Sequence, residues 1–554
     1  MQPLLKFFTA LDLRATGKWF VLSAVVGLVA GLGAIAFQFL VEVVQHVGLA
    51  MFAGYVPTDA AGEQPLFAAP EGEFLPWMIV VVMTVGGLVS GWLVYRFAPE
   101  AQGTGTDAAV DAFHNRRGQI GPLVPVIKTI ASAITLGTGG SAGREGPIAQ
   151  IGAGFGSALA NRLGLSARDR RIMLAAGMAA GVGAIFRAPL AAALFAGEIL
   201  YRDADLDSDV IVPAAFSSIV GYSVYSLALP PRARFAPLFG QVQQVQFGSL
   251  LELLPYAVLA VVLALVAILF IKCHQGGQRL FAQTPLHPVL RPMVGAALAG
   301  VIGVGLFLLG GQDPHLLGVL STGYGTLQQA TNPEASMGLQ ILMAVALVKI
   351  VTTSLTIGSG GAGGIFGPSM VIGGCLGAAV GQAFHQWWPA VVTHPHTFAF
   401  VGMAGFFAGA AHAPFSTIIM VTEMTGNYQL LLPTMWVSTL CFLFCKRWSI
   451  YPHQVPTRLE SPAHRGDFIV DVLEGIKVDD VYQRDRKMIR IPEGMRLKGI
   501  VHTLAMTAQR YFPVVDENDR LVGIFSSEDV RSYLYDEAIW ELANARDVMV
   551  TKIV

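Results

Sequence analysis

The chain has 554 residues, of which 53% are hydrophobic and 13% charged, with 62 glycines, a mean hydropathy of +0.57 and a formal net charge of −1. This composition excludes an ordinary soluble domain and is that of a polytopic membrane protein, whose solvent is the bilayer. The near-zero net charge removes any global field that would gather nucleic acid or acidic partners.

In chain order, Lys6, Arg14 and Lys18 precede the first apolar stretch and favour a cytoplasmic N-terminus. That stretch, 19–44, is too long for a signal-peptide core and is read as a retained span. Stretches 19–44, 77–97, 250–271 and 337–357 each suit a hydrocarbon core about 30 Å thick, which takes about 20 helical residues. Stretches 124–136 and 148–163 are too short or too interrupted to cross it comfortably. A mixture of full and partial helices is therefore predicted.

Between the partial helices lies GTGGSAGREGP at 137–147, and GSGGAGGIFGP at 358–368 repeats its glycine frame. Lys128 and Thr135 upstream of the first frame match Lys349 and Thr356 upstream of the second. Downstream, Gly177, Met178, Ala188-Pro189 and Glu198 match Gly402, Met403, Ala413-Pro414 and Glu423. The membrane part, 1–456, is thus two homologous halves, at about 19–228 and 250–448, each with a helix broken at the same place.

A glycine-rich break at membrane depth is tolerated only inside protein or along an aqueous cavity, because lipid satisfies no backbone hydrogen bonds. A helix starting after such a break aims free N–H groups and a partial positive charge at the interior. Several such ends suit an anion, whereas a cation site recruits carbonyls and carboxylates. Glu145 stands inside the first frame where the second has Phe366. A carboxylate at that mouth mimics the anion, filling the site when ionised and leaving it when protonated. Lys128 and Lys349, in apolar text, are expected to hold helix C-terminal carbonyls. His114 and His412 are expected to make ordinary hydrogen bonds, and no metal site is indicated. The four cysteines, Cys273, Cys375, Cys441 and Cys445, suggest neither a disulfide framework nor zinc.

After Trp448 the text changes, and 457–554 reads as a separate cytoplasmic domain. Short β-rich runs at 510–515 and 521–525 flank the turn residues 516–519, and helical text starts at Ser527. Strand, turn, strand and helix in this order resemble a CBS module, with Ser526 and Asp529 placed to contact a nucleotide ribose. One module is complete, and 545–554 looks like the opening of a second, as if the chain stopped short of a natural end. With both termini in the cytoplasm, the number of crossings must be even.

Over its whole membrane part and into this tail, the chain resembles the CLC chloride channels and chloride/proton antiporters. The carriers of the resemblance are GREGP at 143–147, GIFGP at 364–368 and Tyr451 just after the last helix. The resemblance implies an all-α inverted-topology repeat with broken helices, a homodimer with one pore per subunit, and location in the plasma (inner) membrane. It also implies that Glu145 is the gate and that Thr104, Gly146, Ile365, Phe366 and Tyr451 bind chloride.

Two departures bear on specificity and coupling. Where the family commonly has Gly-Ser-Gly-Ile-Pro, this chain has Gly103-Thr104-Gly105-Thr106-Asp107. Thr104 keeps a hydroxyl, and the absence of the nitrate-associated proline there suits chloride. Asp107 is expected to cap its helix, while Pro147 argues against the fluoride-exporting branch. The internal proton glutamate of the coupled members falls on Ile199, which cannot relay a proton. Ile199 favours a passive channel, with antiport through a water-mediated inner path as the alternative. Catalysis has no footing, because HExxH does not occur and no serine has a plausibly placed base. No cofactor is expected apart from an adenine nucleotide as a regulator at the CBS-type domain.

Overall fold

The structure, a computed structural model, describes residues 15–68, 72–240, 247–332, 337–464, 487–531, 533 and 539–551. The chain forms two compact units, residues 1–468 and 469–554.

The first unit is helical. Its first half comprises α1 (Ala15–Gln45), α2 (Pro76–Phe97), α3 (Gly105–His114), α4 (Val124–Gly137), α5 (Glu145–Arg162), α6 (Ala167–Phe186), α7 (Pro189–Glu198) and α8 (Ser208–Ala228). Its second half comprises α9 (Leu253–Gln283), α10 (Arg291–Leu309), α11 (Tyr324–Thr331), α12 (Leu339–Gly358), α13 (Phe366–Trp387), α14 (Thr397–Ala411), α15 (Pro414–Thr425) and α16 (Leu431–Cys445). Each helix of the first half has a counterpart of the same rank in the second. Among the described residues, six helices are long and apolar enough to cross a membrane. Two of these, 208–228 and 288–309, add to the spans read from sequence. At 31 residues, α1 and α9 would each run about 46 Å, so they must tilt across a core of about 30 Å.

The local grammar of the halves is the same. Helices α7 and α15 both start with proline at N1, where its missing N–H costs nothing. The preceding helices α6 and α14 both end on a left-handed residue, Arg187 (φ 56°) and His412 (φ 60°). In the glycine frames, Gly139 (φ 102°) and Gly360 (φ 99°) take a conformation that L side chains rarely adopt. Helices α5 and α6 touch backbone to backbone, since a β-carbon on Gly177 would fall 2.1 Å from the Gly152 carbonyl oxygen. Helices α13 and α14 touch likewise at Gly373 and Gly402. Small residues permit such close crossings in lipid, where dispersion replaces the hydrophobic drive.

Two sets of contacts relate the halves by a local two-fold. Gly143 donates to the Gly364 carbonyl at 2.7 Å and Gly364 donates back to Gly143 at 2.8 Å, an antiparallel bridge between equivalent residues. Glu198, at the end of α7, accepts the N–H groups of Phe415 and Ser416 at the start of α15. Glu423 in α15 accepts those of Leu190 and Ala191 at the start of α7. Each proline-started helix is therefore capped by a carboxylate from the other half.

The second unit has a sheet of order β1 (Ile491–Pro492), β2 (Tyr511–Val515) and β3 (Leu521–Ser526). The first pair is parallel and the second antiparallel. Helix α17 (Leu497–Ala505) and the short α18 (Ser527–Arg531) and α19 (Ala545–Val548) complete it. Phe512 and Phe525 stack in a core with Ile491, Leu497, Ile500, Val514 and Val530. The described part of the stretch expected to open a second module lies against this one. Ala545 and Val548 join its core and Val550 bridges Ile524, because an apolar tail finds the nearest uncovered strand edge.

Candidate functional site

The glycine bridge brings four helix starts together. Helices α5 and α13 begin one and two residues after Arg144 and Gly364, respectively. The start of α3 joins them, since Gly363 donates to the Gly103 carbonyl at 3.3 Å and a β-carbon on Gly105 would fall 2.2 Å from the Gly146 oxygen. The start of α11 closes the ring, the Tyr324 hydroxyl lying 3.0 Å from where a Gly367 β-carbon would be. Unpaired amides and the positive ends of several dipoles are thus concentrated in the protein interior.

The carboxylate of Glu145, buried at the first residue of α5, occupies this place. One oxygen accepts the Tyr324 hydroxyl and the other the Gly367 N–H at 3.2 Å. A β-carbon on Gly143 would fall 2.0 Å from Glu145 Oε2, so the frame glycine keeps the seat open. Next to Glu145, Arg144 is buried and spends its charge on Glu63, at 2.7 Å, with a further bond to Gln38. Its guanidinium also lies over the Tyr324 ring, 5.4 Å from the centroid. The cation of the GREGP motif is thereby neutralised by a carboxylate rather than left facing the pathway.

The remaining expected anion ligands lie at or next to the same helix starts. Thr104 is the N-cap residue of α3 but makes no capping bond with its hydroxyl. Ile365 and Phe366 are buried at the start of α13, and the Phe366 ring packs between Phe186, 4.6 Å away, and Phe407, 4.1 Å away. Gly146 lies in the first turn of α5 against Gly364. Tyr451 is buried, with its N–H held by Ser449 and its hydroxyl against Thr106. A cavity of about 430 Å³ is lined by Thr104 together with Glu100, Asp107, Asp111, Arg116 and His453.

Asp107 does not cap its helix as expected. Its oxygens take the His453 N–H at 3.1 Å and the His453 Nδ1 at 2.7 Å, because the chain leaving α16 passes directly beneath the start of α3. Asp107 and its neighbours hold the His453 imidazole above its ordinary value of 6.5. Ile199 is buried, and its carbonyl accepts the Gln454 side chain at 3.0 Å, leaving no titratable group at that position. Lys128 donates to the carbonyls of Ala101 and Gly103, and Lys349 to those of Gly318 and Ser321. His114 bonds Ser461 and the Leu200 carbonyl, and His412 bonds the carbonyls of Arg202 and Trp448. In the second unit, Ser526 donates its N–H and hydroxyl to Asp529, a reciprocal cap at the start of α18.

Sequence reasoning missed Tyr324, although a signal was present. Gly323-Tyr324-Gly325 repeats the Gly-x-Gly of Gly103-Thr104-Gly105 at the corresponding helix start. The two-fold thus pairs a threonine on one side of the ring with a tyrosine on the other.

A helical membrane unit of two related halves, with helix starts converging on a buried carboxylate, defines an anion-translocating protein. The family model described as voltage gated chloride channel matches residues 86–446, and that described as CBS domain matches 478–536. The chain belongs to the CLC family of chloride channels and chloride/proton antiporters, and carries a C-terminal CBS domain. It is 31% identical over 427 residues to the H(+)/Cl(-) exchange transporter ClcA of Yersinia pseudotuberculosis, covering 74% of this chain and 81% of the relative. The protein of the same name from Salmonella paratyphi B is 30% identical over 420 residues, covering 74% and 82%. The fold is similar to that of a slow cyanobacterial Cl-/H+ antiporter (TM-score 0.64, 22% identity, 77% of this chain and 94% of the other). It is also similar to a CLC-type fluoride/proton antiporter (TM-score 0.65, 23% identity, 80% and 98%).

Proposed function

We propose that this protein exchanges chloride for protons, with Glu145 serving both as the gate and as the proton carrier. The observation that carries the reading is the seat itself. One carboxylate, held by a tyrosine hydroxyl and a backbone amide, sits where helix starts would otherwise hold an anion. When ionised it competes with chloride, and when protonated it gives up the seat, so chloride enters only as the carboxylate takes up a proton, and the two ions are coupled. Support also comes from the exchange transporters among its relatives. In this reading Thr104, Gly146, Ile365, Phe366 and Tyr451 contact the chloride. The protein works as a homodimer with one path per subunit, in the plasma (inner) membrane with both termini in the cytoplasm.

The second reading is a passive channel, favoured by Ile199, which puts an aliphatic side chain where a proton donor would stand. Liposomes holding the purified protein separate the two. With a chloride gradient imposed and the potential clamped by potassium and valinomycin, exchange moves protons uphill. Chloride flux with no accompanying proton movement overturns exchange in favour of the channel.

A further inference from the structure

If protons reach Glu145 from the inner side, they do so without a titratable group at Ile199. A polar cavity that reaches Thr104 is lined by residues that can carry a proton. At about 430 Å³ it has room for on the order of ten waters. Its wall includes Thr104 at the ring and, one helical turn away on α3, Asp107 hydrogen-bonded to His453. His453 lies two residues beyond Tyr451 and is half exposed, so the pair stands between bulk water and the inner end of the anion path.

We infer that the His453–Asp107 pair is the proton-loading station at the inner mouth of the transport path, taking the place of the side chain missing at position 199. This rests on the exchange reading. Water in the cavity delivers a proton to the imidazole, giving an imidazolium paired with the Asp107 carboxylate. The proton then passes along cavity water beyond Thr104. An N–H bond of the ring breaks, an O–H bond forms on the Glu145 carboxylate, and neutral imidazole remains. No electrons are exchanged.

Every charged neighbour of the pair has a definable effect. Asp111 lies 3.9 Å from His453 Nε2 and, like Asp107, favours the imidazolium. Arg116 opposes it but is itself engaged by Asp111 and Glu100. From α9, the buried His274 lies within electrostatic reach of Asp107 but outside the cavity lining, and its Nδ1 is enclosed away from water. Arg291 and Tyr95 line the far side of the cavity. Counting Glu100, Asp107 and Asp111 against Arg116 and Arg291, the wall is net negative when His453 is neutral and balanced when it is charged. Loading a proton therefore also removes the repulsion met by a chloride that leaves through the same mouth in exchange.

The test uses the full chain in liposomes, with chloride and proton traces recorded together for wild type, His453→Arg and Asp107→Asn. Arginine keeps a cation beside Asp107 but releases no proton at working pH. The expected result is that chloride efflux persists in His453→Arg while proton movement falls to background. In wild type alone, the coupled rate should rise as inner pH falls through the raised histidine pKa. Wild-type proton-to-chloride ratios and an unaltered pH profile in both variants overturn the loading station while leaving exchange intact. Absence of proton movement in wild type overturns exchange, and this inference with it.

Discussion

At the scale of single residues, the site is organised by one carboxylate and the two donors that hold it. Glu145→Gln keeps the shape of the side chain and removes its charge. It should abolish pH-dependent gating and proton coupling while leaving chloride flux intact or raised, as read by efflux between acidic and alkaline buffers. Unchanged pH dependence would remove Glu145 from the gate. Tyr324→Phe deletes a hydrogen bond to an ionised group, which contributes about 1.5–3 kcal/mol. The carboxylate should then leave its seat more readily, and chloride flux at neutral pH should rise by roughly tenfold or more, since about 1.4 kcal/mol is a factor of ten. An unaffected rate would mean that the hydroxyl does not restrain the gate. On the other side of the ring, Thr104→Pro should raise nitrate permeability relative to chloride. A constant ratio in anion-substitution measurements would detach Thr104 from selectivity.

At the scale of elements, what was legible in sequence was whatever the repeat writes twice. The broken helices, the proline-started α7 and α15, and the carboxylates that cap them all have two copies, and the second copy distinguishes a structural task from chance. Glu198 and Glu423 belong to this class. Replacing Glu198 by alanine removes the acceptor of three hydrogen bonds, two from amides at the start of α15 and one from the Ser416 hydroxyl. Orphaning buried donors costs about 1–3 kcal/mol each, so the variant should show a clearly lower thermal transition by intrinsic fluorescence. What remained illegible lacks a repeat or has a distant partner. Asp107 sits where a cap belongs, and nothing local announces His453, 346 residues away. Because Asp107 raises the folded-state pKa of His453, this contact adds stability that is fully present below the ordinary value of 6.5 and lost as pH rises through the raised one. His453 is half exposed, so solvent screens the effect and the gain is small. The wild-type advantage over His453→Gln in thermal shift should appear in mildly acidic buffer and vanish in alkaline buffer.

At the scale of the whole molecule, a membrane unit of two matched halves is followed by a CBS domain whose Ser526 and Asp529 already satisfy one another. An adenine nucleotide would have to compete with that cap. Calorimetric titration of ATP and AMP into the full-length protein should yield heat if the domain is a nucleotide sensor, and its absence would remove that role. The mutual hydrogen bonds between Gly143 and Gly364 carry a larger consequence. They fasten the two halves together, directly beside Glu145, through the backbone itself. A carrier that rocks one half against the other would have to tear this seam at every turnover, leaving buried amides unpaired. Transport in this fold is therefore expected to be a matter of swinging side chains within a nearly fixed frame, so that spin labels on opposite halves keep one separation throughout the cycle.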